Sequence, residues 1–302
     1  MPHQSLRQEI LPAPLFDDKP FALSIGPQRT GTSWLDRYLR ARGDVCLPTD
    51  VKETFFFDQR YKRGRDFYKD RFKPAPDHQL VMEISTTAFD HPEAPSRVYN
   101  ICGPVLTLIC PLRHPVMRSY SLYRHLRRYG LVNGNLRSAV SAFPQILETS
   151  RYAAHLARWG DRFGLESISL VFHEDLENNH EAFLRRICRI LNLDYLAPDE
   201  HTAPPLNVST RPRPPFVAAA AQNAAQWARD RELYGLINLG KQLGLKRLLL
   251  GRDGPENLKE SIPAADLEWL SSHLHPEIQN LETLLGHPLP QWRTRTGTDE
   301  AM

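Results

Sequence analysis

The chain has 302 residues, 41% hydrophobic and 24% charged, with a formal charge of +3. That is the composition of an ordinary globular chain long enough to bury a full core, and it excludes collagen-like and low-complexity classes. So small a net charge gives no argument for nucleic acid or an anionic membrane, although it leaves room for a local basic site. No apolar run approaches the ~18 residues of a membrane span, and MPHQSLRQEILPAPLFDDKP has no long apolar stretch, so neither a transmembrane helix nor a signal peptide is expected. A cytoplasmic location follows as an expectation. Cys46, Cys102, Cys110 and Cys188 are scattered without a CxxC pair and read as buried free thiols. Nothing resembles a zinc or calcium site, and no metal is expected.

Residues 1–20, proline-bearing and aperiodic, read as an arm on the domain. Phe21–Ile25 has the length and apolar content of a short buried strand. It runs into Gly26-Pro27-Gln28-Arg29-Thr30-Gly31-Thr32-Ser33, after which Trp34, Leu35, Tyr38 and Leu39 recur at helical spacing up to Gly43, a candidate C-cap. Strand, glycine loop and helix together present backbone N–H groups to an anionic phosphate. In Val51–Asp58 the carboxylate of Glu53 adjoins three phenylalanines. Desolvation there would raise its pKa toward that of a general base, unless Glu53 is a solvated loop residue. Residues 59–77 are basic and aromatic, either a solvated helix face or a wall for an anionic substrate.

A second strand is predicted over residues 80–85, opening through Ser85-Thr86-Thr87 toward the cradle's edge if the strands are parallel. A helix over 94–101 and a third strand over 105–110 follow, the latter apolar enough for burial on both faces. Arg113 stands at its end, and Ser121 lies two turns into the helix predicted over 116–128. The pair can converge on one anion, or Arg113 can simply pair with a structural acid. Residues 129–146 read as loop. A helix over 149–163, a strand over 167–172 and a helix over 182–191 complete an alternation that predicts a three-layer α/β fold with a central parallel sheet. Beyond it come a proline-rich binding loop, 202–215, bearing Arg211 and Arg213, then a helical stretch, 216–260, that packs on the domain or on a membrane surface. Helices over 264–274 and 277–285 follow, and a tail, 294–302, expected to be disordered. Residues 21–293 are read as one domain.

The cradle nearly matches the nucleotide P-loop, G-x4-G-K-[ST], but Thr32 occupies the lysine place and Arg29 lies inside the loop. That argues against a triphosphate and for a ligand with one 5′-phosphate carrying a transferable group. Gly26–Leu35 resembles the 5′-phosphosulfate loop of sulfotransferases that use 3′-phosphoadenosine 5′-phosphosulfate (PAPS), nearest the heparan-sulfate type. Lys52–Phe57 resembles their KE-x-x-FF segment, Glu83–Phe89 their EKS-x-x-YF, Arg113–Ser121 their 3′-phosphate motif, and Phe172–Leu176 their E-D-L strand end. The segment from Leu284 to Trp292 resembles the family's C-terminus.

The resemblance implies a P-loop-like fold and sulfuryl transfer from PAPS to a hydroxyl or amine, without a metal, on a saccharide or glycolipid. It implies Glu53 as catalytic base and Arg29 as the transition-state charge. Gln28, Arg29, Thr30, Gly31, Thr32 and Ser33 would hold the 5′-phosphosulfate, and Arg113 and Ser121 the 3′-phosphate; Arg211 and Arg213 are placed with the cofactor-binding residues. His78 or His91 are alternative bases. Arg29 stands where the family usually has lysine, and Ile84 where the heparan-sulfate type has a second one. The alternatives are a P-loop kinase acting on a small molecule and a non-catalytic PAPS- or glycan-binding protein.

Overall fold

The computed structural model describes residues 13–198 and 262–293. Phe21–Ser24 forms β1, and its side chains alternate between two cores. Phe21 and Leu23 face one layer, and Ala22 faces the other. β1 is the middle strand of a five-stranded sheet. With β2 (Val45–Cys46), β3 (Leu80–Ile84), β4 (Thr107–Leu112) and β5 (Ile168–Phe172), the order is β2-β3-β1-β4-β5, and every pairing is parallel. Burial on both faces explains the near-continuous apolar strands. On one face, α1 (Thr32–Arg42) and α9 (His180–Ile190) supply Trp34, Leu35, Leu39, Phe183, Leu184 and Ile187. On the other, α3 (Ala94–Cys102) and α7 (Tyr152–Phe163) supply Val98, Ile101, Leu156 and Trp159. A third cluster joins α4 (Pro115–Arg128) to the short helices α5 (Leu136–Ala142) and α6 (Gln145–Glu148) and to α10 (Ala264–Leu285). The expected α/β architecture is therefore present.

Several elements differ from expectation. The third strand is shifted two residues downstream. Val105 is 91% exposed, outside the sheet, while Pro111 and Leu112 pair with Val171 and Phe172 of β5. The last rung toward β1 is the Ile25 N–H to the Ile109 carbonyl at 2.8 Å. Pro111, lying past that rung, owes no ladder bond there, so the proline is tolerated. The 129–146 loop contains α5, capped by Asn135 accepting from the Ser138 N–H at 3.0 Å, and α6. The two C-terminal helices are one. Pro276 lies inside it, and buried Leu270, Leu274, Ile278 and Leu281 keep the helix seated across the lost bond. The two-residue β2 was too short to show a period. The basic residues after 59 are largely engaged at home. Arg63 and Arg71 stack on the Phe67 ring, and Arg65 donates to the Ala13 and Pro14 carbonyls.

All four cysteines are buried and free. Among the described residues no helix is long and apolar enough to cross a membrane. Arg211, Arg213 and the 216–260 stretch lie outside the described residues.

Gly26 is set by close approach to Pro111. A Cβ there would stand 2.3 Å from the Pro111 carbonyl oxygen and 2.4 Å from its Cδ. Both are held by backbone, so neither yields easily. Gly26→Ala is expected to destabilise the fold by about 3 kcal/mol, at the upper end of overpacking costs, as read by urea unfolding.

Candidate active site

The cradle follows β1 directly. Arg29 has φ 75° and Gly31 φ 91°, so two left-handed residues fold the loop back over the start of α1. The Thr30 hydroxyl donates to the Pro27 carbonyl at 2.7 Å and closes the loop on itself. Gly31 is the N-cap of α1 and brings no side-chain cap. The first N–H groups of a helix have no intrahelical acceptor, so this end faces outward with donors and a partial positive charge. A side chain at Gly31 would meet His173 Cδ2 at 3.2 Å and Leu176 Cδ2 at 3.3 Å, both from α8 (His173–Asn178). From beneath, fully buried Arg118 donates through Nε to the Gln28 carbonyl at 3.2 Å. Its Nη1 donates to the Gln145 and Ile146 carbonyls and to Ser150 Oγ. Arg118 therefore supports the loop and is not presented to a ligand.

A second segment closes over the cradle. Lys52 Nζ donates to Thr32 Oγ1 at 3.1 Å and Ser33 Oγ at 3.3 Å. An ammonium thus reaches the hydroxyls where the P-loop pattern lacks its lysine. Glu53 Oε1 lies 3.8 Å from the same Nζ. Both Glu53 oxygens are held by Thr86: the N–H donates to Oε2 at 3.0 Å, and the hydroxyl reaches both at 2.8 and 2.9 Å. Burial raises the Glu53 pKa and Asp58 adds to the rise, while Lys52 and the Thr86 donors oppose it. Burial lowers that of Lys52, aided by Arg29 and Arg40 and opposed by Glu53 and Asp36.

Next in sequence, Thr54 donates from its N–H and its hydroxyl to Glu83 Oε1, each at 2.7 Å. The Tyr68 hydroxyl, from α2 (Gly64–Lys69), donates to Oε2 at 2.6 Å. Glu83 is fully buried, and burial, with Glu53 nearby, pushes its pKa up to about 7 against the pull of these donors.

The third side of the site comes from β4 and α4. Arg29 Nε donates to Ser121 Oγ at 3.0 Å. Arg29 is exposed, yet protein groups crowd its guanidinium. Loss of water there, followed by repulsion from Arg113, Arg118 and Arg128, brings its pKa down to about 10, with Tyr129 opposing. Arg113 stands one residue beyond β4, its Nη2 4.0 Å from Glu177 Oε1.

Of the residues picked from sequence, the fold brings Arg29, Thr32, Ser33, Glu53, Arg113 and Ser121 to one edge of the sheet, with Gln28, Thr30 and Gly31 shaping the loop. His78 does not belong there. It precedes the start of β3, at the opposite end of the sheet, and its Nδ1 accepts the Ala75 N–H at 2.7 Å. His91 follows β3, and its Nδ1 takes the Glu93 N–H at 3.2 Å. Ile84 is fully buried in the core rather than facing the site. Lys52, Arg118, Thr86 and Glu83 were not singled out as site residues. Lys52 and Glu83 carried a signal, since each opens a family-like segment; the inward turn of Arg118 carried none.

Glu83 gives a pH prediction. Its carboxyl binds a proton more tightly in the folded chain than in the unfolded one. Its stabilising contribution is therefore complete below pH 4.5 and is lost as pH rises toward about 7. Urea unfolding across that window should show stability falling with pH, and Glu83→Gln should flatten the slope.

Comparison with known proteins identifies the family and the fold. The profile of the sulfotransferase domain family matches residues 20–203. The bifunctional heparan sulfate N-deacetylase/N-sulfotransferase 1 of Caenorhabditis elegans is 25% identical over 191 residues, covering 58% of this chain and 22% of its own length. The heparan sulfate glucosamine 3-O-sulfotransferase 6 of Mus musculus is 30% identical over 219 residues, covering 66% of this chain and 61% of its own length. The chain therefore spans about a fifth of the bifunctional relatives it matches. A crystal structure of a sulfotransferase from Alicyclobacillus acidocaldarius shares the fold. It is 20% identical, with a TM-score of 0.62 over 91% of this chain and 99% of that one. With the domain profile covering more than half its residues, the chain belongs to the family of PAPS-dependent sulfotransferases.

Proposed function

We propose that this site transfers a sulfuryl group from PAPS to a hydroxyl or amine of a saccharide acceptor. The observation that carries the reading is the Lys52–Glu53 pair. One side chain lies on the cradle hydroxyls, and the other, 3.8 Å away, is a half-buried carboxylate of raised pKa. A phosphate-directed cation and a candidate base are thus fixed side by side. The donor set fits a nucleotide with two separate phosphates. Thr32, Ser33, Lys52 and the open N-terminus of α1 suit a 5′-phosphosulfate, and Arg113 with Ser121 suits a 3′-phosphate. When bound, PAPS supplies a sulfuryl group on a phosphate leaving group. The saccharide class is supported by the heparan sulfate relatives.

The residues divide the work by chemistry. Glu53 accepts the acceptor's proton as the new O–S or N–S bond forms. Thr86 holds its two oxygens so that the lone pair presented to the acceptor has one direction. Arg29 and Lys52 place positive charge where the departing phosphate oxygen becomes negative. Arg29 contributes charge only, since a guanidinium keeps its protons at working pH even with its pKa near 10. Lys52, whose pKa is lowered, is the better placed of the two to give a proton. The Arg29–Ser121 hydrogen bond places the two proposed phosphate regions side by side.

Three results are expected. Glu53→Gln should leave binding of adenosine 3′,5′-bisphosphate unchanged and reduce transfer by on the order of 10²–10⁴, measured with labelled sulfuryl donor and a panel of saccharides. Weakened nucleotide binding with normal turnover would remove Glu53 from the base role. In the wild type, the acid limb of the rate profile should lie above the ordinary carboxylate value of 4.5, because burial raises the Glu53 pKa. Arg113→Ala should weaken adenosine 3′,5′-bisphosphate by about tenfold to a hundredfold in calorimetry, the worth of a charge-assisted contact.

A further inference from the structure

Arg113 and His114 share a peptide unit that is gripped at both of its polar atoms. The Tyr152 hydroxyl donates to the Arg113 carbonyl at 2.9 Å. The His114 N–H donates to Glu174 Oε1 at 2.9 Å. Glu174 is 1% exposed, and its other oxygen, Oε2, accepts the Trp292 indole N–H at 3.1 Å. The Trp292 ring also packs on Tyr152 at 6.0 Å, Phe172 at 5.5 Å and His114 at 6.0 Å between centroids. The end of β4, the first residue of α7, α8 and the turn Pro290–Trp292 therefore converge on a single peptide plane.

A peptide plane is rigid, and Leu112 just before is held in the ladder against Phe172, so fixing the plane that follows Arg113 restricts the ψ of Arg113 and the direction in which its Cα–Cβ bond leaves the chain. Without these partners the same plane would hold a buried carbonyl or N–H unsatisfied, and it would rotate to find another. We propose that Tyr152, Glu174 and Trp292 are positioning residues that aim Arg113, so that selection of a 3′-phosphorylated nucleotide depends on the C-terminal tryptophan. The inference rests on the reading of Arg113 as the 3′-phosphate contact. Orientation matters more for arginine than for a point charge, because its two-pronged pairing with phosphate fails when the fork is turned.

The test is calorimetric titration with adenosine 3′,5′-bisphosphate and with adenosine 5′-monophosphate, which lacks the 3′-phosphate. Tyr152→Phe removes one donor and keeps the ring, and Trp292→Phe removes the indole N–H and leaves a smaller aromatic ring, a loss of volume that Trp159→Phe matches. The first two should each lower the affinity for the bisphosphate by about three- to tenfold, the worth of one hydrogen bond, and leave the monophosphate within about twofold. Glu174→Gln should act in the same direction; if it fails to fold, the other two variants carry the test. Trp159→Phe removes an equally buried indole N–H, bonded to the Phe89 carbonyl at 3.1 Å away from this peptide, and should leave the ratio unchanged. A ratio unmoved in Tyr152→Phe and Trp292→Phe, or an equal loss for both nucleotides, overturns the positioning role. A wild type that does not prefer the bisphosphate overturns the reading of Arg113 itself, and the inference with it.

Discussion

The segment Lys52-Glu53-Thr54 is held at both of its ends, and the site depends on that. Lys52 is fastened to the cradle through Thr32 and Ser33, Glu53 to Thr86, and Thr54 to Glu83. Glu83 lies near the end of β3 and Thr86 just beyond it, so the strand and its exit grip the segment at two points three residues apart. β3 lies beside β1, which carries the cradle, and Leu23 pairs with Glu83 in that register. The distance between the cradle and Glu53 is thus set by the β1–β3 pairing together with the Lys52 contacts to the cradle. Such preorganisation is what transfer chemistry requires, since misplacement by about 1 Å can cost on the order of 10² in rate.

The electrostatics follow from that closeness. Arg29, Lys52 and Arg113 are gathered at one edge with Glu53 among them, and burial and mutual repulsion depress the pKa of Arg29 and Lys52. An excess of positive charge in a partly dry cleft is costly without a ligand. On the proposed reading a doubly phosphorylated nucleotide would relieve it, and the same field would strengthen each contact to that ligand. Glu83 bears the opposite strain. It accepts three hydrogen bonds in the core and still has a pKa near 7, which shows how far burial outweighs its donors.

Much of this was legible in the sequence. The strand–loop–helix around Gly26 and Gly31 announced itself through glycine spacing and the switch from a strand to a helical pattern. Glu53, a carboxylate beside three phenylalanines, could equally be a solvated loop residue from its surroundings, and only the resemblance to the KE-x-x-FF segment singles it out. What stayed hidden involves contacts across long stretches of chain. Lys52 meets Thr32 twenty residues away, and Arg118 turns inward to a carbonyl instead of outward to a ligand; neither leaves a periodic trace. Boundaries slipped where a local rule was overridden. Pro111 continues a strand because its missing N–H is not needed there, and Pro276 fails to end a helix whose apolar face is buried on both sides of it. His78 looked eligible as a base on chemistry alone, and only the strand direction removes it.

The central claim is that one constellation of cations, hydroxyls and a half-buried carboxylate is built for a nucleotide with separate 5′- and 3′-phosphates. Calorimetric titration of the unmodified protein in the presence of a chelator tests it most directly, with adenosine 3′,5′-bisphosphate and ATP compared side by side. Tight, metal-independent binding of the bisphosphate with no heat from ATP is the predicted result. Binding of ATP that appears on adding magnesium, with none of the bisphosphate, would contradict the account.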